Sequence, residues 1–321
     1  MEYVAQKVTA SSINFEDMTF IISTAAKGDL LQKSIGRVGL LNPPYLYFDS
    51  IKQYYQIVCG YRRVHACVAC GWQEITACLI ASGTSQSELF LLGLYDNLAH
   101  RVLNPIEQAF AAAKLLSYFS EDTVIRHYLP LMGLHPTFKS LDHLRRLAAL
   151  EPAIQDAVVN GTILETVAIK LADIEVKDRK VFMNLLSQVH LSASKQEEIL
   201  AYCKDIGLRD GISYREILND AALRQILEQE NLPRSQKGDQ IRSLLRKMRF
   251  PRLSQREEEY LQQSKKLHLP AGVQLLPPPF FEGQTFRLQI EFDGREALAD
   301  KAAYVMGLVK NNNFNDLLED R

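Results

Sequence analysis

At 321 residues the chain exceeds what one ordinary hydrophobic core serves, and its length fits two or three domains. A hydrophobic content of 47% beside 23% charged residues belongs to the soluble globular class, and no run approaches the roughly 18 apolar residues that a membrane span needs. The formal net charge of −1 excludes indiscriminate electrostatic attraction to nucleic acid, although a local basic surface can hide in that average.

Met1 to Ser12 lacks a basic region followed by an apolar run, so no secretory signal is read and a cytosolic protein is expected. Leu30, Leu31, Ile35 and Val38 recur at helical spacing, with Gly39 as the C-terminal cap. Tyr45 to Phe48 and Tyr54 to Cys59 read as strands. A helix then runs from Arg62 to Cys70 and stops at Gly71, and Ile75 to Ile80 reads as a further strand. Cys59, Cys67, Cys70 and Cys78 fall close together, and Cys67-x-x-Cys70 has the form of half a zinc site or a redox pair. A zinc site draws two such pairs, or one pair with spaced histidines. Only His65 stands near, so the cysteines read as small core residues and no structural metal is expected.

From Ser85 to Asp220 the pattern is helical almost throughout. Serine followed by glutamate three residues later opens helices at Ser85 with Glu88, Ser194 with Glu197, and Ser213 with Glu216; Ser254 with Glu257 opens a later one. Asp122 to Leu129 reads as a helix, Gly133 to Pro136 as a turn, and Thr137 as the cap of a helix reaching Leu150. In the basic segment Arg234 to Arg252, Ile241, Leu244, Leu245 and Met248 form one face and leave Arg242, Arg246, Lys247 and Arg249 outside it. Such a face is either merely solvated or a sequence-independent phosphate contact that Lys195 and Arg215 extend. Pro270 and Pro277 to Pro279 mark a boundary. Phe286, Leu288, Ile290 and Phe292 then alternate with polar residues as a half-buried strand, Asp293-Gly294 turns, and a last helix spans Glu296 to Lys310.

Three stretches carry chemistry: Leu31 to Pro44, Ile57 to Gly71 and Leu92 to Ala109. Gly60, at a strand end, lets backbone approach a ligand closely. Arg62 and Arg63 at the start of the next helix can grip phosphate with forked donors, helped by exposed backbone N–H groups. Asp96 and Asn97 supply hard oxygens for a magnesium ion shared with those phosphates. The competing reading leaves both arginines solvated or paired with Asp96.

In this order and spacing the three stretches resemble the boxes of the ParB/sulfiredoxin-like superfamily: S-I-x-x-x-G-L-x-x-P, then G-E-R-R-x-x-A, then E-N-x-x-R running into L-N-P-I-E-x-A. The resemblance covers Leu30 to Gly161. It implies a pocket for CTP with magnesium and a clamp that closes around DNA. Gly60, Arg62 and Arg63 match the phosphate box, and Asp96, Asn97 and His100 fall at the E, N and R of the third. Tyr61 stands where glutamate is usual, Asp96 is one methylene shorter, and neutral His100 brings no charge near pH 7. CTP hydrolysis is therefore expected to be weak at most.

Leu144 to Ile154 resembles the stretch that closes the ParB recognition helix, which places Thr137 at its cap. The resemblance then implies DNA contacts by Thr137, Lys139, Ser140, His143 and Arg145, on a helix entering the major groove after a turn about two residues longer than usual. A plain helical hairpin is the alternative. The expected organisation is an α+β ParB-like pocket domain over 1–105, an all-α helix-turn-helix domain over 106–225, a basic helical segment over 226–270 and a small β-plus-α dimerisation module over 271–321.

The expected partners are double-stranded DNA with palindromic half-sites, a second copy of the chain and a ParA-type ATPase; no membrane is expected. Chromosome or plasmid partition and transcriptional regulation both fit such parts. Met1 to Asp17 offers only Lys7 as a basic residue for a ParA-contacting tail, which tilts the reading toward regulation. Two other readings use the same pocket: a small-molecule kinase or nuclease with His65 or His100 as base, and an adaptor whose pocket has decayed.

Overall fold

The sheet nearest the N-terminus grows from a tight hairpin. Strands β2 (Tyr45–Asp49) and β3 (Tyr54–Cys59) pair antiparallel, and Asp49 Oδ1 closes the turn by accepting the N–H of Ile51 at 3.0 Å and of Lys52 at 3.1 Å. Gln56 to Cys59 of β3 are buried one after another, as a strand covered on both faces must be. In this computed structural model, which describes residues 2–23 and 29–319, the strand order is β1-β4-β2-β3. β4 (Glu74–Ile80) lies parallel to β2 and antiparallel to β1 (Tyr3–Thr9). β1 leaves no mark in the sequence because only Val8 is buried; with one side chain in the core there is no alternation to read.

Helix α1 (Asp29–Val38) ends at Gly39 as its spacing predicts, but only Ile35 is buried and Leu31 half-buried, while Leu30 and Val38 face outward. α2 (Tyr61–Ala69) follows β3 through Gly60. α3 (Gln86–His100) opens with the expected reciprocal cap between Ser85 and Glu88. α4 (Pro105–Tyr118) has the same device in Asn104 and Glu107, with Pro105 at its first position. The backbone divides into two units, Met1–Glu175 and Val176–Arg321. The divide falls inside the 106–225 stretch. α6 (Phe138–Ala148) and α7 (Pro152–Val159) pack against α4, and α8 (Glu165–Ala172) against α6 and α7, whereas α9 (Val176–Gln188) packs with α11 (Tyr214–Leu218).

In the second unit, two expected caps are displaced. α10 (Ala193–Asp210) is entered from Ser192, so Ser194 is already helical. α14 (Pro251–Lys266) starts at Pro251, whose fixed φ begins the helix early; Ser254 is buried inside it and Glu257 is bonded to Arg246. The basic face of α13 (Arg234–Arg249) is not open to phosphate. Arg246 forms a fork with Glu257 at 2.7 Å on both nitrogens, Lys247 meets Glu258 at 2.5 Å, and Arg242 and Arg249 pair with Glu198 and Asp205. Lys195 pairs with Asp239 at 2.5 Å. Acidic residues distant in sequence neutralise the stripe, which a count along α13 alone cannot reveal.

After α12 (Ala221–Glu228), α13 and α14, β5 (Val273–Leu276) and β6 (Arg287–Ile290) form an antiparallel ribbon beside α15 (Arg295–Leu308) and α16 (Asn312–Glu319). Leu267, Leu275 and Leu317 make a small core with Tyr260, Phe286 and Phe314. The alternating strand is less covered than its pattern predicts: Leu288 is 37% and Phe292 54% exposed, because a two-stranded ribbon has no further layer here.

Gly93 fixes the depth at which α3 meets the sheet, since a Cβ there would stand 2.8 Å from the Val58 carbonyl oxygen. Gly93→Ala is expected to destabilise the N-terminal unit by about 1–3 kcal/mol, read as a lowered urea midpoint at unchanged slope. Parent-like stability would show that α3 does not need this approach.

Candidate functional site

Where β3 gives way to α2, Gly60 adopts φ +86°, a left-handed conformation. A Cβ there would stand 2.9 Å from Arg63 Nε and would push that side chain aside. Arg63 folds back over it, donates to the Asn42 carbonyl at 2.8 Å and comes within 3.5 Å of Asp96 Oδ2. No side chain caps α2 and no acidic residue occupies its first turn, so the positive end of the helix faces the opening. Arg62 is exposed beside it.

These residues line a cavity of about 300 Å³ together with segment 20–23, Asp96, Asn97 and Arg101. A second cavity of about 540 Å³ shares Arg63, Asp96, Asn97 and Arg101, and adds Asn42, Pro43 and His100. The structure therefore brings Gly60, Arg62, Arg63, Asp96 and Asn97 together around one opening. His100 lies apart from it: its side chain is 74% exposed, and Nδ1 contacts the Asp96 carbonyl at 2.7 Å.

Arg101, which the motif does not single out, takes the central place. It follows the last turn of α3 in extended backbone, and this geometry sends its side chain back over the helix. Nε and Nη2 donate to Asn97 Oδ1 at 3.1 and 2.8 Å, Nη2 to Ser23 Oγ at 2.9 Å, and Nη1 to Glu107 Oε2 at 2.5 Å. Glu107 is 3% exposed. The one available sequence signal was a second basic residue directly after the motif position.

Tyr61 is not a base. Its hydroxyl donates to the Phe15 carbonyl at 3.1 Å, and burial pushes its pKa up. Its ring and that of Phe15 bracket His65 at 4.3 and 5.0 Å. The cavity wall is tied to α4 by Lys114 Nζ, which donates to the carbonyls of Met18, Thr19 and Ile21 at 2.5, 2.8 and 2.8 Å. Burial lowers the Lys114 pKa to about 8.

The helix pair further on has its own geometry. Ser120 caps α5 (Glu121–Thr123), which runs into a π-turn at Val124–Tyr128. The wider turn takes in residues beyond the α-helical count. Gly133 reverses the chain at φ +78° and Thr137 caps α6, accepting the Ser140 N–H at 3.1 Å. Leu141, Leu144 and Leu147 are buried. On the outer face Lys139 is exposed, Ser140 Oγ is 2.9 Å from Thr137 Oγ1, His143 Nε2 lies 2.5 Å from Glu165, and Arg145 pairs with Glu121.

Asp17 buttresses the wall by accepting from Thr19 N, Tyr54 Oη and Gln56 Nε2 at 2.9, 2.9 and 2.8 Å. Burial opposes its ionisation, but the hydrogen bonds from Gln56, Thr19 and Tyr54 outweigh it and hold the carboxyl below the usual carboxylate range. The folded pKa thus lies under the unfolded one, and the stabilisation is complete above about pH 4 and lost as pH falls through the depressed folded value. Asp17→Asn is expected to flatten the acid limb of the stability profile in denaturant titrations between pH 2 and pH 5, whereas an unaltered limb would assign acid sensitivity to other carboxylates.

No protein-family model matches the chain, and no curated protein does. Among solved structures, it is similar to the C-terminally truncated chromosome-partitioning protein ParB of Caulobacter crescentus complexed with CTP-γ-S, at 20% identity over 58% of this chain and 98% of that one, TM-score 0.27. The same Caulobacter protein complexed to the centromeric parS site aligns at 16% identity over 66% and 95%, TM-score 0.33. A Pnob8-like ParB-N domain aligns at 15% identity over 77% of this chain and 98% of that one, TM-score 0.38.

Proposed function

We propose that this chain binds the polyphosphate of a nucleoside triphosphate, CTP by its sequence resemblance, at the β3–α2 turn, and that it presents α6 to duplex DNA. The observation carrying the first part is the left-handed Gly60 with Arg63 folded over it, at an uncapped helix N-terminus, opposite Asp96 and Asn97. Cationic forks, an uncapped helix N-terminus and a turn residue without a side chain suit phosphate. A cavity of about 300 Å³ that adjoins a second one leaves room for the remainder of a nucleotide.

Asp96 and Asn97 carry hard oxygens, faced here by Arg63 and Arg101, that would suit a magnesium ion arriving on phosphates. Such an ion would neutralise phosphate charge. Arg63 and the α2 N-terminus orient the chain of phosphates, while Lys114 and Asp17 hold the wall in place. Binding is favoured over turnover: the tyrosine in the carboxylate's place is itself a hydrogen-bond donor and supplies no base at that position. This also disfavours the kinase and nuclease readings.

For DNA, exposed Lys139 at the first turn of α6 is the side chain best placed for a base edge or phosphate. Thr137 and Ser140 shape the cap; His143 and Arg145 are engaged by carboxylates and would have to exchange them for DNA. Exposed Leu288, Phe292, Met306 and Val309 on the C-terminal module support pairing with a second copy, which would match palindromic half-sites. A DNA-associated cytosolic regulator or partition protein follows, with a ParA-type ATPase as partner only in the second case. No helix among the described residues is long and apolar enough to cross a membrane.

Calorimetry with CTP, ATP, GTP and UTP in magnesium is expected to detect CTP-selective binding that Arg63→Ala abolishes. Silence with all four nucleotides would leave the adaptor reading. Lys139→Ala is expected to cost about 1–3 kcal/mol of discrimination between cognate and random duplex in fluorescence anisotropy, with the melting temperature unchanged. Equal loss on every sequence would make Lys139 a phosphate contact only.

A further inference from the structure

We infer that Arg101 is the second phosphate-gripping arginine of this pocket, parked on Asn97 and Ser23 until ligand arrives and anchored throughout by buried Glu107. The inference rests on the polyphosphate reading of the cavity and adds to it the residue and the exchange that motif position 100 cannot provide.

Arg101 lines both cavities, whereas His100 lines only one and turns its ring outward. The guanidinium contacts fall into two kinds. Asn97 Oδ1 and Ser23 Oγ are neutral acceptors at 2.8–3.1 Å and 2.9 Å, while Glu107 is a buried carboxylate. Phosphate oxygens make stronger, charge-assisted bonds than amide or hydroxyl oxygens. An incoming triphosphate therefore displaces the two neutral acceptors and leaves the Glu107 bond intact. Departure would take the counter-charge from the buried Glu107 carboxylate, which otherwise keeps the Asn104 N–H at 3.1 Å, so the side chain pivots rather than departs. The same exchange frees Asn97 Oδ1, which two N–H groups of Arg101 occupy beforehand, and frees it at the moment a phosphate-borne cation needs an oxygen. Parked Arg101 thus also discourages a cation from entering alone, because its positive charge sits on one of the two oxygens offered.

Three variants test this by calorimetry, with CTP, CMP and inorganic tripolyphosphate as ligands in magnesium. Arg101→Ala alone removes the counter-charge of buried Glu107 and can unfold the unit, so the informative variant is Arg101→Ala with Glu107→Gln, checked by melting temperature. It is expected to lose at least tenfold in affinity for CTP and tripolyphosphate but less than threefold for CMP, collapsing the triphosphate preference. Arg101→Lys, which keeps a charge but loses the fork, should fall between. His100→Ala should stay within threefold of the parent for all three ligands. Equal losses for CTP and CMP would make Arg101 a structural strut, and parent-like CTP affinity in the double variant with a tenfold loss in His100→Ala would return the role to position 100; either overturns the inference. A parent protein that binds none of the ligands overturns the pocket reading itself, and this inference with it.

Discussion

The approach of α3 to β3 at Gly93 is the constraint on which the N-terminal unit depends. A helix cannot normally come so close to a strand's carbonyl; here the missing Cβ permits it at Val58, one residue before Cys59 and two before the turn at Gly60. One helical turn beyond Gly93 come Asp96 and Asn97, and Asn97 Nδ2 bonds the Gly93 carbonyl at 2.8 Å. The close packing thus carries the acidic and amide side chains over the opening where the arginines lie. Were α3 pushed out, the two halves of the pocket would separate although each kept its own secondary structure.

A second consequence runs through the pocket's rear wall. Segment 17–23 has little regular structure, yet its backbone is held by Lys114 from α4 and its start by Asp17 through Tyr54 and Gln56. α4 also carries Glu107, which holds Arg101, and packs against α6. The cavity wall, its arginine and the helix proposed to meet DNA therefore share one support.

Charge tells a different story along the chain. The stripe of arginines and lysines on α13 looks like a phosphate surface when counted in sequence, but in the structure Glu198, Asp205, Glu257 and Glu258 neutralise it. α6 is engaged in the same way at His143 and Arg145, and Lys139 stays exposed. Cations already paired with the protein's own carboxylates contribute less local field than a count of basic residues suggests. That narrows the candidate surface more than the number of basic residues does.

The sequence by itself determined the elements whose signals are local. The strands β2 to β4, the helix stop at Gly71, and the caps at Ser85, Ser213 and Thr137 follow from periodicity and capping chemistry, and the ordered motifs name Gly60, Arg62, Arg63, Asp96 and Asn97, which line one cavity. Edge strand β1 was not legible because a strand with one buried residue has no alternation, and the early start of α14 followed from Pro251 rather than from the serine three residues later. Tertiary structure alone decided the pairing of α13's charges and the different directions taken by the side chains of His100 and Arg101. The physical reason is one of direction: adjacent residues at the end of a helix point to different places once the backbone leaves helical angles. Extended Arg101 turns back into the cavity, while His100, still helical, projects into solvent.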